Sequence, residues 1–461
     1  MMEKILKNQI VEKLVKFFNS YYYPLFMFGV VLFTHCLALD ILGFIVTILC
    51  FCVTTILCDD FRPAVPFILM FPYVISTQNS PGYGLNEYYS SPVTIGTFVA
   101  LGFLVAISFT LRAITRKEYK TFFDFKNKKL LIGFLLLIPC YALAGVFSSW
   151  FDINSLAVSV VMIVLQPIIY IIFSSGTFAK QDNILYFSRV SALAILLMAL
   201  EIAFVYVLKY TWGTPLNDLW KAKIIIGCGI SNTAGAFIAM LLPFLFYAAY
   251  KDKFVYLYYI LAALSLIAVY FTLSRGALYL ALPTFVIGTL FLCFKGQHKK
   301  TFIFISICYV VILIITLLIV YATGHFADLF EFFINAGLSS RGRLDTWANI
   351  YEKFKEYPIF GVGFSTYMQT KPNIDQVYEY LAHNTAVQIL CSTGIIGTIL
   401  FSYHIFEVIK FIIKKHTIKV FVITFAILVF MCISMVDQFF FVPNFTIIYT
   451  FLLVFMEKET A

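Results

Sequence analysis

Residues 301–323 have the sequence TFIFISICYVVILIITLLIVYAT, an apolar run that contains no charged side chain. A helix of about 20 such residues crosses the hydrocarbon core of a bilayer, so this run is long enough to span a membrane. Comparable apolar runs recur along most of the chain. The stretch therefore predicts membrane-spanning helices as the repeated element of the fold.

The composition supports this class for the whole chain. Of the 461 residues, 61% are hydrophobic and only 12% are charged, and the mean hydropathy is +0.92. Such a chain has too few polar groups to cover a water-soluble globule. We therefore expect an all-α polytopic membrane protein with about 12–14 transmembrane helices. The predicted spans lie near 21–38, 41–58, 64–78, 92–111, 130–148, 156–173, 185–208, 224–250, 254–273, 277–294, 301–323, 384–412, 418–436 and 439–456.

The net charge of +9 arises from basic residues in short patches between the apolar runs. No nucleic-acid partner is needed to explain them, because Lys and Arg are enriched in the cytoplasmic loops of membrane proteins. If the N-terminus is cytoplasmic and successive spans cross the membrane in alternating directions, five basic patches lie on the cytoplasmic side: Lys4 to Lys16, Arg112 to Lys129, Lys251 to Lys253, Lys295 to Lys300 and Lys414 to Lys419. Lys209, Lys221 and Lys223 fall outside against this statistical bias. The long polar loop 324–383 also falls outside.

These assignments divide the chain into four segments. Residues 1–20 form a basic amphipathic stretch without a cleavage site, expected to lie on the cytoplasmic leaflet or to dock a partner. Residues 21–323 form a transmembrane bundle, and 384–461 form C-terminal transmembrane helices. Between them, 324–383 is expected to be a catalytic extracytoplasmic loop with short amphipathic helices.

The sequence offers no metal or disulfide site on the outer side. All ten cysteines lie in or at the ends of apolar runs, and the loop 324–383 contains none, so they are interpreted as packing residues. The loop also lacks an Asp-x-Asp cluster that would hold a divalent cation. We expect neither a metal nor a cofactor.

Several residues at the outer side have the chemistry of an anion site. Arg275, between two predicted spans, either reaches the outer headgroups or binds phosphate in a cavity. Residues 343–354 have apolar side chains at helical spacing, including Trp347, which predicts an amphipathic helix packed on the bundle or the membrane. Arg341 and Arg343 would lie at its first turn, where an arginine and free backbone N–H groups bind phosphate. The alternative is that both are solvated loop charges.

Three further features follow in the loop. Gly361-Val-Gly363, after Pro358, predicts a tight turn that lets the backbone approach another group closely. His383 and Asn384 precede the next span. Histidine is suited to act as a general base near neutral pH, although a histidine at a helix end is often only an interfacial polar residue.

Taken together, these residues resemble a known family. Ser274-Arg275-Gly276, then Arg341-Gly-Arg343-Leu-Asp-Thr-Trp347, then Pro358-Ile-Phe-Gly361-Val-Gly363, then His383-Asn384 are similar, in order and spacing, to the motifs of the O-antigen ligase and O-antigen polymerase superfamily. The resemblance covers roughly residues 270–400.

The resemblance implies a metal-independent glycosyltransferase in the bacterial inner membrane, with its active loop on the extracytoplasmic side. The donor would be a glycan on undecaprenyl pyrophosphate, and the acceptor a glycan or a lipid-linked glycan. Arg275, Arg343 and His383 would be catalytic, the arginines at the pyrophosphate and the histidine at the acceptor. The predicted substrate-binding residues are Arg341, Trp347, Gly361, Gly363 and Asn384. Membrane lipids and a chain-length regulator or flippase would be partners.

Other functional classes remain open at this point. A polymerase, the favoured interpretation, and a ligase share these motifs and differ in the acceptor, which for a ligase is lipid A core, a protein or a cell-wall polymer. A flippase or exporter of lipid-linked sugars would spread its arginines through the spans. A purely structural membrane subunit would need neither His383 nor the paired loop arginines.

Overall fold

The computed structural model describes the chain in segments. The described residues are 9–37, 39–74, 92–178, 182–211, 213, 224–226, 229–324, 343–364, 369–371, 374–378, 382–414 and 417–460. Arg341 lies outside these residues, as do the parts 325–342, 365–368, 372–373 and 379–381 of the predicted outer loop.

The elements up to the polar loop are nearly all helical. They are α1 (Gln9–Phe18), α2 (Tyr22–Cys36), α3 (Asp40–Leu57), α4 (Val65–Met70), α5 (Pro92–Thr115), α6 (Leu131–Ala142), α7 (Ile153–Ile163), α8 (Ile169–Ser175), α9 (Asn183–Thr211), β1 (Ile225–Ile226), β2 (Gly229–Ile230), α10 (Ser231–Lys251), α11 (Val255–Phe271), α12 (Arg275–Lys295) and α13 (Lys299–Ala322). Short 3-10 turns at Arg62–Ala64, Phe71–Tyr73 and Glu118–Thr121 flank α4 and follow α5, and a π turn at Val164–Ile168 joins α7 to α8.

The remaining elements are α14 (Arg343–Glu356), β3 (Gln369–Lys371), β4 (Ile374–Tyr378), α15 (Thr385–Ile413), α16 (Ile418–Ser434), a 3-10 turn (Phe439–Phe441) and α17 (Pro443–Thr460). The strands form two small antiparallel pairs, β1 with β2 and β3 with β4. In the second pair Gln369 lies opposite Tyr378, and Lys371 opposite Ile374.

The predicted class is confirmed. Among the described residues, seven helices are long and apolar enough to cross a membrane, and five shorter apolar helices accompany them. The protein is therefore an all-α, multi-pass membrane protein. The proposed domain boundaries stay a prediction.

Several predicted span boundaries differ from the structure. The helix predicted over 130–148, for example, ends at Ala142 as α6. The span at 224–250 begins as a helix only at Ser231, because 225–230 form the β1–β2 pair. The span at 439–456 starts with a 3-10 turn, and its α-helix begins at Pro443, a residue favoured at a helix start because its missing N–H is not needed there. The span at 277–294 begins two residues earlier, so Arg275 opens α12.

The centre of the bundle is α10. In the most apolar 18-residue stretch of α10, 94% of the residues are buried inside the protein, whereas the corresponding stretch of α13 has no buried residue. Helices α9, α11, α12 and α16 surround α10, and small residues allow the close packing typical of membrane helices. A Cβ on Gly288 of α12, for example, would lie 2.3 Å from the Phe246 ring of α10. Helix α13 is thus peripheral, and α10 positions its neighbours.

Helix α15 is interrupted at Gly394, whose backbone angles (φ 68°, ψ −167°) are not helical. A regular α-helix would join the N–H groups of Ile395 and Ile396 to the carbonyls of Cys391 and Ser392. Backbone groups freed in this way must find other partners, since an unpaired polar group in a membrane protein is costly.

The turn 358–363 supplies those partners. The carbonyls of Pro358 and Ile359 accept from Ile395 and Ile396 at 2.9 and 3.2 Å. In return, Val362 and Gly363 donate to the carbonyls of Cys391 and Ser392, each at 2.9 Å. The loop is therefore hydrogen-bonded into the helix break.

The turn also contacts α6. The N–H of Gly145, just after α6, donates to the Phe360 carbonyl at 2.8 Å. Gly361 and Gly363 have positive φ angles of 70° and 93°, and a Cβ on Gly361 would lie 2.5 Å from the Cys391 carbonyl oxygen. The close backbone approach expected from this glycine pair is thus to α15 and to the end of α6.

Replacing Gly361 by Ala should destabilise the protein. The added Cβ clashes with the α15 backbone, and a left-handed alanine costs about 1–2 kcal/mol. The melting temperature of the detergent-purified protein should fall clearly. Gly102→Ala in α5 is the matched control, because a Cβ there has nothing within 4 Å, so its melting temperature should stay the same or rise. An unchanged melting temperature for Gly361→Ala would contradict the docking of the turn.

Candidate functional site

His383 follows a residue whose two backbone polar groups are both held by side chains. The N–H of the fully buried Ala382 donates to Gln388 Oε1 at 3.0 Å, and its carbonyl accepts from Trp347 Nε1 at 2.6 Å. Gln388 lies in α15 and Trp347 in α14. The two helices thus fix the chain immediately before His383.

His383 itself has a left-handed backbone, with φ 47°. Non-glycine residues adopt this conformation rarely, and the strain, of order 1–3 kcal/mol, persists where the surroundings enforce it, often at functional sites. The side chain of His383 is 42% exposed, so a substrate can reach the imidazole. Its Nδ1 lies 3.3 Å from Asp437 Oδ1.

Asp437 lies in the turn between α16 and the Phe439–Phe441 3-10 turn. Its carboxylate accepts from Asn232 Nδ2 at 3.3 Å and from the Gln438 N–H at 2.9 Å. Burial raises the pKa of Asp437, but the hydrogen bonds from His383, Gln438 and Asn232 outweigh burial, and the pKa lies below its ordinary value. Asp437 is therefore ionised at neutral pH and accepts the His383 Nδ1 proton, which leaves Nε2 as the free proton acceptor.

The start of α15 is tied to the same turn. Asn384 caps α15 through its Oδ1, which accepts from Val387 N at 3.1 Å, and its Nδ2 donates to the Met435 carbonyl at 2.9 Å. Thr385 Oγ1 donates to the Asp437 carbonyl at 3.4 Å. The predicted substrate-binding residue Asn384 therefore has both side-chain ends engaged within the protein.

Arg275 opens α12, directly after a strained turn. Leu273, buried, has a left-handed φ of 57°, and Ser274 precedes the helix. A Cβ on Gly276 would lie 3.1 Å from Val436, which shows that the start of α12 contacts the residue preceding Asp437. The structure thus brings the backbone of Arg275 next to the turn 435–438.

Three helix N-termini meet at the turn 435–438. Asn232 from the start of α10, Gly276 from the start of α12 and Asn384 from the cap of α15 each contact it. The first N–H groups of a helix have no partner within the helix, and the helix dipole gives this end a partial positive charge. This end of the bundle is therefore suited to bind an anion such as phosphate.

Helix α14 lies against the start of α15, as its apolar spacing predicts. Ile350 is 3% exposed and packs with Ala382 and Cys391. At the far end of α14, Lys353 lies over the Trp150 ring at 4.2 Å. The apolar face of α14 is therefore against the bundle.

The predicted site residues of the loop 324–383 do not all lie beside His383. Arg343 is the first residue of α14, one turn before Trp347, and its side chain is outside the described residues, as is all of Arg341. Gly361 and Gly363 lie in the turn that docks into the α15 break. The substrate-binding roles assigned to Trp347, Gly361, Gly363 and Asn384 stay predictions, while their contacts within the protein position His383.

The region that contains Arg275, Arg343 and His383 matches a known family. Residues 260–402 match the family model described as O-antigen ligase. This segment of the chain is therefore similar to the O-antigen ligase family. The match indicates a glycosyltransferase-like enzyme of ligase or polymerase type that acts on lipid-linked glycans at a membrane. No curated protein matches the chain.

Sequence reasoning missed Asp437 and Asn232. Both lie outside the matched segment and far from His383 along the chain, so no local spacing relates them to it. A usable signal was present, because Asp437 is the one charged residue in the short predicted outer connection after the span 418–436, and ionisable residues beside membrane spans are frequently functional. In the ranges that the structure describes, no three His, Cys, Asp or Glu residues form a metal-binding group; metal independence stays a prediction.

Replacing Asp437 by Asn should reduce turnover by less than the loss of His383. The amide no longer favours the Nδ1–H tautomer, so fewer imidazoles present a free Nε2 to the acceptor. The value of kcat should therefore fall while donor affinity stays unchanged.

The measurement is kcat together with donor affinity, with Glu407→Gln as a control, because Glu407 pairs with Lys410 near the opposite end of α15. An Asp437→Asn enzyme with the wild-type kcat would exclude the role in positioning His383.

Proposed function

We propose that the protein is a glycosyltransferase that moves a glycan from undecaprenyl pyrophosphate to an acceptor hydroxyl during surface-polysaccharide synthesis, as a polymerase. The observation that carries this proposal is the meeting of three helix N-termini, Arg275 and the His383–Asp437 pair at the turn 435–438. An anion-binding end and a proton acceptor lie together there, and the transfer needs both.

The leaving group is the first chemical demand. Breaking the bond between an anomeric carbon and pyrophosphate develops negative charge on the pyrophosphate. Helix N-termini and a guanidinium stabilise such charge without reorganising. Arg275 at the start of α12 and Arg343 at the start of α14 would bind the pyrophosphate, and Arg341 would lie beside Arg343.

The acceptor is the second demand. With Nδ1 donating to Asp437, the free Nε2 of His383 faces an incoming hydroxyl as hydrogen-bond acceptor, orients it and takes its proton as the new glycosidic bond forms. The hydrogen bonds of the Ala382 backbone with Gln388 and Trp347 fix the position of the imidazole. Little conformational entropy is therefore lost when the acceptor binds. His383 therefore acts on the acceptor, and the arginines act on the donor.

The charge distribution supports an orientation in which this site faces outward from the bacterial inner membrane. Basic patches lie in the connections at the other ends of these helices, as the positive-inside rule requires for cytoplasmic loops. The donor would reach the site within the outer leaflet of that membrane. A chain-length regulator or a flippase would be the partner that determines product length or supplies the donor.

A ligase is the second candidate. It uses the same donor chemistry and differs only in the acceptor, so His383 and Arg275 serve both. The flippase alternative is less consistent with the structure. The fully buried Arg112 pairs with Glu118 and donates to the carbonyls of Thr55 and Cys58, which close α3. This arginine stabilises helix ends and does not line a path across the membrane.

Purified protein incubated with an undecaprenyl-pyrophosphate-linked repeat unit should produce a ladder of lengthened glycans. The ladder should also form in excess EDTA, because arginines and helix ends, rather than a metal ion, stabilise the leaving group. Separation of the products on a gel decides the outcome. Extension of lipid A core alone would indicate the ligase, and a requirement for Mg²⁺ or Mn²⁺ would contradict the arginine-based mechanism.

Variants should separate donor binding by the arginines from acceptor activation by His383. His383→Asn should lower the single-turnover rate by about 10²–10⁴-fold and leave donor affinity unchanged. Asparagine tolerates the left-handed backbone of position 383, so the fold is retained. Arg343→Lys should impair donor binding nearly as much as Arg343→Ala, because an ammonium cannot replace the planar bidentate fork.

Donor affinity and single-turnover rate are measured for each variant. Lys355→Ala serves as the control for loss of charge, because Lys355 lies on α14 and pairs with the exposed Glu352. A His383→Asn enzyme that turns over normally, or that loses donor affinity instead, would remove His383 from the acceptor side.

A further inference from the structure

A cavity of about 790 Å³ lies at the opposite end of the helices from His383. Four segments form it: the connection between α5 and α6, the end of α8, the end of α15 and the end of α17. Helix α17 begins next to the turn 435–438 and reaches the cavity at Lys458, on the order of 20 Å along its axis. The cavity is thus separate from the site described above.

The lining of this cavity is strongly basic. It contains the lysines 126, 128, 129, 410, 414 and 458 and the carboxylates of Asp124, Glu407 and Glu457. All three carboxylates already have partners. Asp124 accepts from Asn127 Nδ2 at 2.6 Å, Glu407 from Lys410 at 3.1 Å, and Glu457 from the Tyr170 hydroxyl at 2.7 Å. With six lysines against three carboxylates, the lining has an excess of three positive charges.

The lysines of the lining are mostly not paired with a carboxylate. Within the residues that the structure describes, Lys410 pairs with Glu407, whereas Lys126, Lys129, Lys414 and Lys458 form no ion pair. Lys128 is 6% exposed and donates to the Phe122 carbonyl at 3.1 Å. Burial and then the charge of Lys458 lower the pKa of Lys128 to about 8. A negative group in the cavity would offset this repulsion between the lysines.

An apolar surface adjoins the basic cavity. On α15, Lys410 and Lys414 line the cavity, whereas Phe406, Ile409 and Ile413 on the same turns are exposed apolar side chains. In a multi-pass membrane protein such side chains contact acyl chains. A ligand with a phosphate group joined to hydrocarbon tails would fit both surfaces at once, and a free phosphate ion would use only the first.

We propose that this cavity binds the phosphate headgroup of an anionic phospholipid from the surrounding bilayer, with the acyl chains along α15. Basic pockets between transmembrane helices recognise such headgroups, and each lysine near the charge adds to the affinity. The bound lipid neutralises the lysines and joins the ends of α8, α15 and α17. In the orientation given under the proposed function, the lipid belongs to the cytoplasmic leaflet; binding itself does not depend on that orientation.

The test is native mass spectrometry of the full chain in detergent, titrated with phosphatidylglycerol or with phosphatidylcholine that has identical acyl chains. The wild type should retain phosphatidylglycerol preferentially. Lys126→Gln with Lys414→Gln should weaken its binding by about 5-fold per lysine, and Lys126→Arg with Lys414→Arg should bind as the wild type does.

The matched control is Lys299→Gln with Lys300→Gln, which removes the same charge from the exposed start of α13, outside the cavity. This variant should bind phosphatidylglycerol as the wild type does. Melting temperatures without lipid establish that all variants are folded.

Three results would overturn the proposal: equal retention of both lipids, equal losses in the cavity and control variants, or complete displacement of phosphatidylglycerol by inorganic phosphate, which would indicate a free-anion site. None of these results bears on glycan transfer, which the ladder assay measures separately.

Discussion

The hydrogen bonds between the turn 358–363 and the break in α15 are the constraint on which the site depends. An interrupted helix leaves N–H and carbonyl groups without partners, and in a membrane protein water does not reliably supply them. Here a segment of the polar loop satisfies the groups around Gly394. The loop thereby becomes part of the bundle, and it brings α14 against the start of α15.

That docking explains how His383 is positioned. Trp347 of α14 and Gln388 of α15 hold the two backbone groups of Ala382, and Asn384 ties the helix cap to Met435. The left-handed backbone of His383 is strained, and these contacts enforce it. A small, fixed set of hydrogen bonds thus positions an exposed imidazole against Asp437, as a proton acceptor requires.

The two ends of the bundle carry positive charge from different groups, helix N-termini at one end and lysine side chains at the other. At the His383 end, the N-termini of three helices lie around the half-buried Asp437. At the other end, lysine side chains lie around the C-termini of α8, α15 and α17, where the helix dipole stabilises a positive charge. An anionic donor at the first end and an anionic headgroup at the second are both consistent with this arrangement.

The sequence alone determined the membrane class and nearly all of the helices, because a helix in lipid needs a long apolar run whatever its neighbours are. It also offered Arg275 and His383 as candidate site residues, since their motifs are local in the chain. Only the tertiary structure decided that Asp437 and Asn232 meet His383, that Asn384 caps α15, and that Gly361 and Gly363 fill the break at Gly394. These contacts join residues far apart in sequence, and helix packing, which no local pattern encodes, brings them together.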